Sequence, residues 1–360
     1  MTTGTWDAWL MTASGAPFER RDLPAAAAAA GEAIVEVAGC GVCHTDLSYL
    51  DHGVKTHHEL PLVLGHEISG IVRGAGAGVD PALLGRPVVV PAVLPCGECD
   101  ICRAGHRRIC RKQVMAGNDR HGGFASHVVV PARFLCPVPD AVLGRHELWE
   151  LAVVSDALAT PFQAVRRSGL APGELAVCVG VGGIGVHAVQ IAAAVGAKVI
   201  ALDVDDGKLE VAASAGARAT FNVKGVAGKE IRKQIRVLAE GLGAPPHLWK
   251  IFETSGTRPG QETAYGLLGF GAVLSVVGFT MDRVELPLSN LMAYDAVAQG
   301  NWGADPMLYP ELLEWIGQGR ITVKPFVERY PLDQINEVFD AARHHRLLRR
   351  AVLVPGMEAV

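Results

Sequence analysis

Residues 175–196 read LAVCVGVGGIGVHAVQIAAAVG: an apolar run, a glycine turn and a helix-spaced run in direct succession. The run LAVCV has no polar alternation, which suits a strand buried on both faces of a sheet. In the turn, Gly180, Gly182 and Gly185 form G-x-G-x-x-G, with Gly183 and Ile184 in the variable places. Alone that pattern is weak. Between a strand and a helix it has a physical purpose: glycine allows the tight turn and lets backbone approach a pyrophosphate at the helix N-terminus. The next apolar run, KVIALD, ends at Asp203, 23 residues after Gly180. A carboxylate there accepts both ribose hydroxyls and repels a 2′-phosphate, and no Arg follows in DVDDGK. The stretch predicts an NAD-binding Rossmann unit rather than an NADP site, with a purely structural glycine turn as the alternative.

Working outward, KLEVAASAG and KEIRKQIRVLAEGL carry helical spacing, while WKIFETSG and GAVLSVVG read as further strands. This alternation, over residues 157–298, predicts a parallel sheet covered by helices on both faces. Residues 1–156 have another texture. They are rich in Gly, Pro and Val, with short runs AIVEV, ISGIV, RPVVV and FASHVVV that predict a mostly β domain. The tract PAAAAAAG (24–31) reads as a solvent-facing connection. Residues 299–360 end in a helix and a strand, which predicts a return to the first domain. A chain of 360 residues fits this two-domain α/β organisation.

Composition narrows the partners. The 33 basic and 37 acidic residues leave a net charge of −4, no footprint for nucleic acid or an anionic membrane surface. The N-terminal stretch lacks a basic region followed by an apolar one, and the apolar runs are strand-sized. A cytoplasmic protein is expected. There, eight cysteines suit metal ligands or buried thiols better than disulfides.

Four of those cysteines fall in PCGECDICRAGHRRIC, residues 95–110. Cys96, Cys99, Cys102 and Cys110 stand at Cys-x2-Cys-x2-Cys-x7-Cys, a set able to close a tetrahedral shell around Zn²⁺ with no open position. The spacing predicts a structural zinc site, although spacing alone does not exclude an iron–sulfur cluster. GCGVCHTDLS (39–48) is more ambiguous: Cys40 and Cys43 could be a redox dithiol, half of a metal clamp, or a ligand beside a bystander. GHEISG (65–70) adds His66 and Glu67. A Cys and a His so far apart read equally well as metal ligands or as a core thiol and a buried His.

GVCHTD (41–46), GHEISG, the four-cysteine lobe, VGVGGIG and VSDALATPF (154–162) occur here in one order. In that order the chain resembles the zinc-containing medium-chain alcohol dehydrogenases over nearly its full length. The resemblance implies a GroES-like catalytic domain interrupted by the Rossmann domain, two zinc ions per chain and NAD-linked alcohol oxidation. It implies Cys43, His66 and Asp156 as catalytic zinc ligands, where many members carry Cys at the third position. Glu67 matches a conditional ligand, and Asp46 the carboxylate that orients the ligating His. Cys40 matches no ligand and reads as a buried thiol. Thr45 matches the hydroxyl that meets the substrate oxygen and begins a proton relay. Many members then have a His where this chain has Ser48, leaving Ser48 or nearby His52 to continue the relay. On the cofactor side the resemblance implies contacts from His44 and Arg350 to the pyrophosphate, Thr160 to the nicotinamide and Lys208 to the adenosine ribose. Family members are dimers or tetramers, so a homo-oligomer is expected.

Within the family, segments such as LPLVLGHEISG, GNDRHGGFASHVVVPAR and LLGFGAVLSVVGFT are similar to the branch acting on 6-hydroxycyclohex-1-ene-1-carbonyl-CoA in anaerobic benzoyl-CoA degradation. That implies a small-molecule partner, a cyclic hydroxyacyl-CoA oxidised to a ketone. Basic residues for its phosphates would come from RHGG (120–123), Arg166–Arg167 or HHRLLRR (344–350), each otherwise an ordinary solvated patch. His57–His58 and His344–His345 read as surface pairs. The alternatives are a zinc alcohol dehydrogenase for simple alcohols and, in another class, a non-catalytic NAD(H)- or zinc-binding sensor.

Overall fold

The computed structural model describes residues 4–358. Its chain packs as two units: one runs to Ala159 and resumes at Gly303, and the other is Thr160–Trp302.

The second unit is built on six parallel strands. Their spatial order is Ala219–Asn222, Lys198–Asp203, Leu175–Val179, Lys250–Glu253, Val273–Val276, Val297–Gly300. Numbered along the chain this is 3-2-1-4-5-6, the order of doubly wound dinucleotide folds. All five residues of Leu175–Val179 and all four of Lys250–Glu253 are buried, as central strands covered on both faces are. The chain reverses its direction of travel across the sheet between these two neighbours. Ligands of such sheets bind at that switch point, outside the carboxyl ends of the strands. The glycine turn, Gly180–Gly185, lies there.

The first unit is organised around the strand Glu32–Gly41, whose alternating burial places one face on the core. It pairs antiparallel with Glu67–Ala75, His127–Pro131 and Arg350–Val354. The last pairing seats the C-terminal strand, through Val352 and Leu353, on Gly41 and Cys40. A three-stranded sheet, Glu19–Pro24, Thr5–Met11 and Leu62–Val63, completes the unit. Residues 25–29 have no regular structure and are mostly exposed, as the alanine tract suggests.

Candidate metal centres and the dinucleotide turn

The strand Glu32–Gly41 ends just before Cys43, which is the N-cap of a short helix, His44–Asp51. Asp46, in that helix's first turn, accepts the Cys43 N–H at 3.0 Å. The same carboxylate accepts the Gly65 N–H at 3.2 Å and faces His66 Nδ1 at 3.3 Å. Asp46 therefore fixes the segments that carry Cys43 and His66. With Nδ1 held by a carboxylate, the Nε2 lone pair of His66 points to the other side. There Nε2 lies 3.6 Å from Asp156 Oδ2, which is 3.9 Å from Cys43 Sγ. Asp156 follows the 3₁₀ helix Leu148–Ser155 as its C-cap.

Cys43, His66, Glu67 and Asp156 each offer a donor atom within 4.8 Å of the others. Glu67 turns both oxygens to Arg350, one at 2.8 Å from Nε and the other on Nη2. The guanidinium expected at a cofactor pyrophosphate thus holds this carboxylate through Nε and Nη2. Cys43, Asp46, His66 and Glu67 are buried, and Asp156 is mostly so. Three carboxyl groups and a thiol in so small a buried volume, beside one guanidinium and one imidazole, suit the uptake of a cation. A thiolate, an imidazole and a carboxylate are the donor types of a zinc site with a fourth position open. The residues fit the metal.

Thr45 Oγ1 is 3.6 Å from Cys43 Sγ, close to this cluster. Ser48, one turn later, donates its hydroxyl to the His44 carbonyl at 2.9 Å. His52, the C-cap of the same helix, is exposed. Cys40 stays outside the donor cluster, and burial pushes its thiol well above the ordinary value.

In the cysteine lobe the sulfurs approach one another at 3.6 Å (Cys96–Cys110), 3.8 Å (Cys99–Cys110) and 4.0 Å (Cys96–Cys102). Sulfurs about 2.3 Å from a tetrahedral centre are separated by about 3.8 Å, so the set fits one ion. The N–H groups of Glu98 and Cys99 hold the Cys96 thiol down to about 6, while burial pushes Cys102 up to about 12. A cation among the four sulfurs would hold them all as thiolates.

The glycines of the turn have distinct tasks. Gly180 has φ +82°, and a side chain there would strike Ser255. At Gly185 one would strike the Gly180 carbonyl. At Gly182 it would meet nothing within 4 Å, leaving the open approach that a pyrophosphate needs. Asp203 ties the neighbouring strand to this turn: Oδ2 accepts Val181 N–H at 2.8 Å and Oδ1 accepts Val204 N–H at 2.8 Å. A carboxylate has further lone pairs for ribose hydroxyls. Lys208 lies in the first turn of the helix capped by Asp205, and Thr160 offers its carbonyl to Asn301. Sequence reading missed Thr254, whose hydroxyl donates to the Gly180 carbonyl at 2.5 Å. Its signal was positional: it follows WKIFE, the strand beside LAVCV at the switch point.

Of the basic patches, Arg120 pairs with Glu32 at 2.8 Å and Arg346 pairs with Asp340. Arg167 donates to the Gly300 carbonyl at 2.6 Å. His57 faces Asp119 at 2.7 Å and His344 faces Asp340 at 3.3 Å. Among the described residues, no helix is long and apolar enough to cross a membrane.

Residues 29–140 match the family model described as alcohol dehydrogenase GroES-like domain, and residues 183–318 the one described as zinc-binding dehydrogenase. An alcohol dehydrogenase of Geobacillus stearothermophilus is 31% identical over 324 residues, 90% of this chain and 92% of that one. The solved alcohol dehydrogenase of the archaeon Aeropyrum pernix matches with TM-score 0.86 at 29% identity, covering 97% of this chain and 100% of its own. A solved NAD-dependent alcohol dehydrogenase matches with TM-score 0.84 at 28% identity over the same shares.

Proposed function

The chain belongs to the zinc-containing medium-chain alcohol dehydrogenases, and we propose that within this family it oxidises a secondary, cyclic alcohol to a ketone. Its general activity is that of a zinc-dependent, NAD-linked alcohol dehydrogenase. In our reading Cys43, His66 and Asp156 hold the catalytic zinc, and the four-cysteine lobe holds the structural one. The observation that carries this is the convergence of the first three donors on one buried, acid-rich point beside Thr45.

When bound, zinc favours the ionised form of an alcohol near neutral pH, and NAD supplies the hydride acceptor. The chain's own residues do the rest. Asp46 keeps His66 in the tautomer with Nε2 free to ligate. The Glu67–Arg350 pair balances charge behind the ligands. Thr45 receives the proton of the substrate hydroxyl. Ser48 spends its own hydrogen on the His44 carbonyl, so in our reading the proton leaves to water or to exposed His52. The glycine turn and Asp203 seat the cofactor, with Lys208, Thr160 and His44 as further contacts.

For the substrate we adopt the class implied by sequence similarity, 6-hydroxycyclohex-1-ene-1-carbonyl-CoA and its ring-hydroxy relatives, over simple alcohols. The support is the run of similar segments, because several basic side chains considered for the phosphates are paired within the protein. NADH formation measured across cyclic hydroxyacyl-CoAs, the free acids and plain secondary alcohols tests it. A kcat/KM at least tenfold higher for the thioester is expected, and equal or higher turnover of simple alcohols would leave a general alcohol dehydrogenase. We also propose a homo-oligomer. The uncharged edge strand VAQG, with exposed Val297, Leu288 and Met292, supports it, and a monomeric sedimentation profile would refute it.

A further inference from the structure

The carboxylate ligand sits at an irregular point of the backbone. Asp156 has φ −137° and ψ −57°, outside the 3₁₀ helix that ends at Ser155. A metal site demands ligand placement within about 0.5 Å. Ser155 supplies one such constraint. Its hydroxyl faces the His66 carbonyl at 3.1 Å and the Val90 carbonyl, so it lies against the segment of the second ligand and the end of the strand Pro87–Val90. Its own carbonyl accepts the Ala92 N–H at 3.3 Å and the hydroxyl of Tyr309. Ser155 and Tyr309 are both fully buried. Tyr309 opens the helix Tyr309–Gly317, whose packing holds the ring in place.

We propose that Ser155 and Tyr309 are positioning residues for the catalytic metal: Ser155 couples the backbone of Asp156 to that of His66, and Tyr309 locks the coupling from the C-terminal segment. The assignment rests on the ligand set proposed above and is independent of which alcohol is oxidised. Neither side chain is a ligand. Ser155 acts through the His66 carbonyl and Tyr309 through the Ser155 carbonyl, and hydrogen bonds around ligands typically change metal affinity by about 10–100-fold when lost.

The test counts zinc and follows its release into excess chelator, with the four-cysteine lobe as an internal control in the same chain. Tyr309→Phe removes one hydroxyl and keeps the ring. It is expected to release one of two zincs at least about tenfold faster than wild type, with the other unaffected. Ser155→Ala should release it faster still, and Ser155→Thr, which restores the hydroxyl, should return it to within about threefold of wild type. Wild-type release rates in both Tyr309→Phe and Ser155→Ala overturn the proposal, as does simultaneous faster release of both metals. If one variant fails to fold by circular dichroism, the other decides. If both fail, the pair is structural and the proposal falls. A wild-type chain that binds one zinc sinks the ligand set itself, whereas two zincs with unchanged release sink only the positioning role.

Discussion

Both candidate metal clusters of the first unit use cysteine, but they are assembled in opposite ways. The lobe draws four like donors from fifteen consecutive residues, 96–110, around tight turns. The other cluster draws unlike donors from separate elements, with Cys43 and Asp156 113 positions apart. Four thiolates close the shell around a metal, so the lobe can brace the chain but offers no place for a substrate. One thiolate, one imidazole and one carboxylate leave a position open. The difference also sets what each cluster depends on. The lobe needs its local loop, whereas the proposed catalytic cluster needs the antiparallel sheet that brings Gly41 opposite Glu67, and the turn that delivers Asp156.

The sharpest way to break this comparison is to remove one donor from each. Asp156→Ala is expected to lower kcat/KM by about a thousandfold, since polarisation by the metal is worth several kcal/mol and each 1.36 kcal/mol is a factor of ten. Metal analysis should find one zinc per chain, and thermal unfolding should shift little, because Asp156 lies beside the core rather than in it. Full activity in the one-zinc protein would remove the open site from the mechanism.

Cys99→Ser should invert that pattern. A hydroxyl is a poor substitute for a thiolate, so the lobe loses its ion and the turns it braced. The expected result is a fall in Tm on the order of 10 °C, for a few kcal/mol lost from a unit of this size. The remaining folded enzyme should keep kcat/KM within about threefold. A collapse of activity with unchanged Tm would mean that the two clusters are not separable into brace and reaction centre.

The same contrast explains what the sequence disclosed. The lobe could be read directly because its geometry is local: spacing alone puts four sulfurs within reach. The parallel sheet was legible for a related reason, since LAVCV and the apolar centres of KVIALD and WKIFE show no polar alternation, as suits doubly covered strands. The sixth strand, Val297–Gly300, was not, because VAQG sits on the exposed edge and has no such run. The open cluster could not be read from spacing at all. Cys43, His66 and Asp156 were named only through resemblance to a family, and in the structure the pairing of Gly41 with Glu67 and the turn after Leu148–Ser155 bring them together. The bidentate Glu67–Arg350 contact spans 283 positions and Tyr309–Ser155 spans 154, and no local pattern encodes either.

Cys40 gives the smallest expected effect and the finest test, because it shares a Cys-x-x-Cys spacing with a proposed ligand and none of its chemistry. Its side chain is fully buried against the positions of Gly65 and Gly123, where any side chain would collide with its sulfur. Burial pushes the thiol well above its ordinary value, and its sulfur lies outside both donor clusters. Cys40→Ala removes only a sulfur from this packed site and should cost about 1 kcal/mol of stability. It should leave both zincs in place and change kcat by less than about twofold. A thiol-reactive probe at pH 8 should leave Cys40 unmodified in the folded wild type and label it on denaturation. Loss of activity in Cys40→Ala with normal zinc content would restore the dithiol reading, and would make the spacing of residues 40–43 a functional motif instead of an accident of a strand running into a helix.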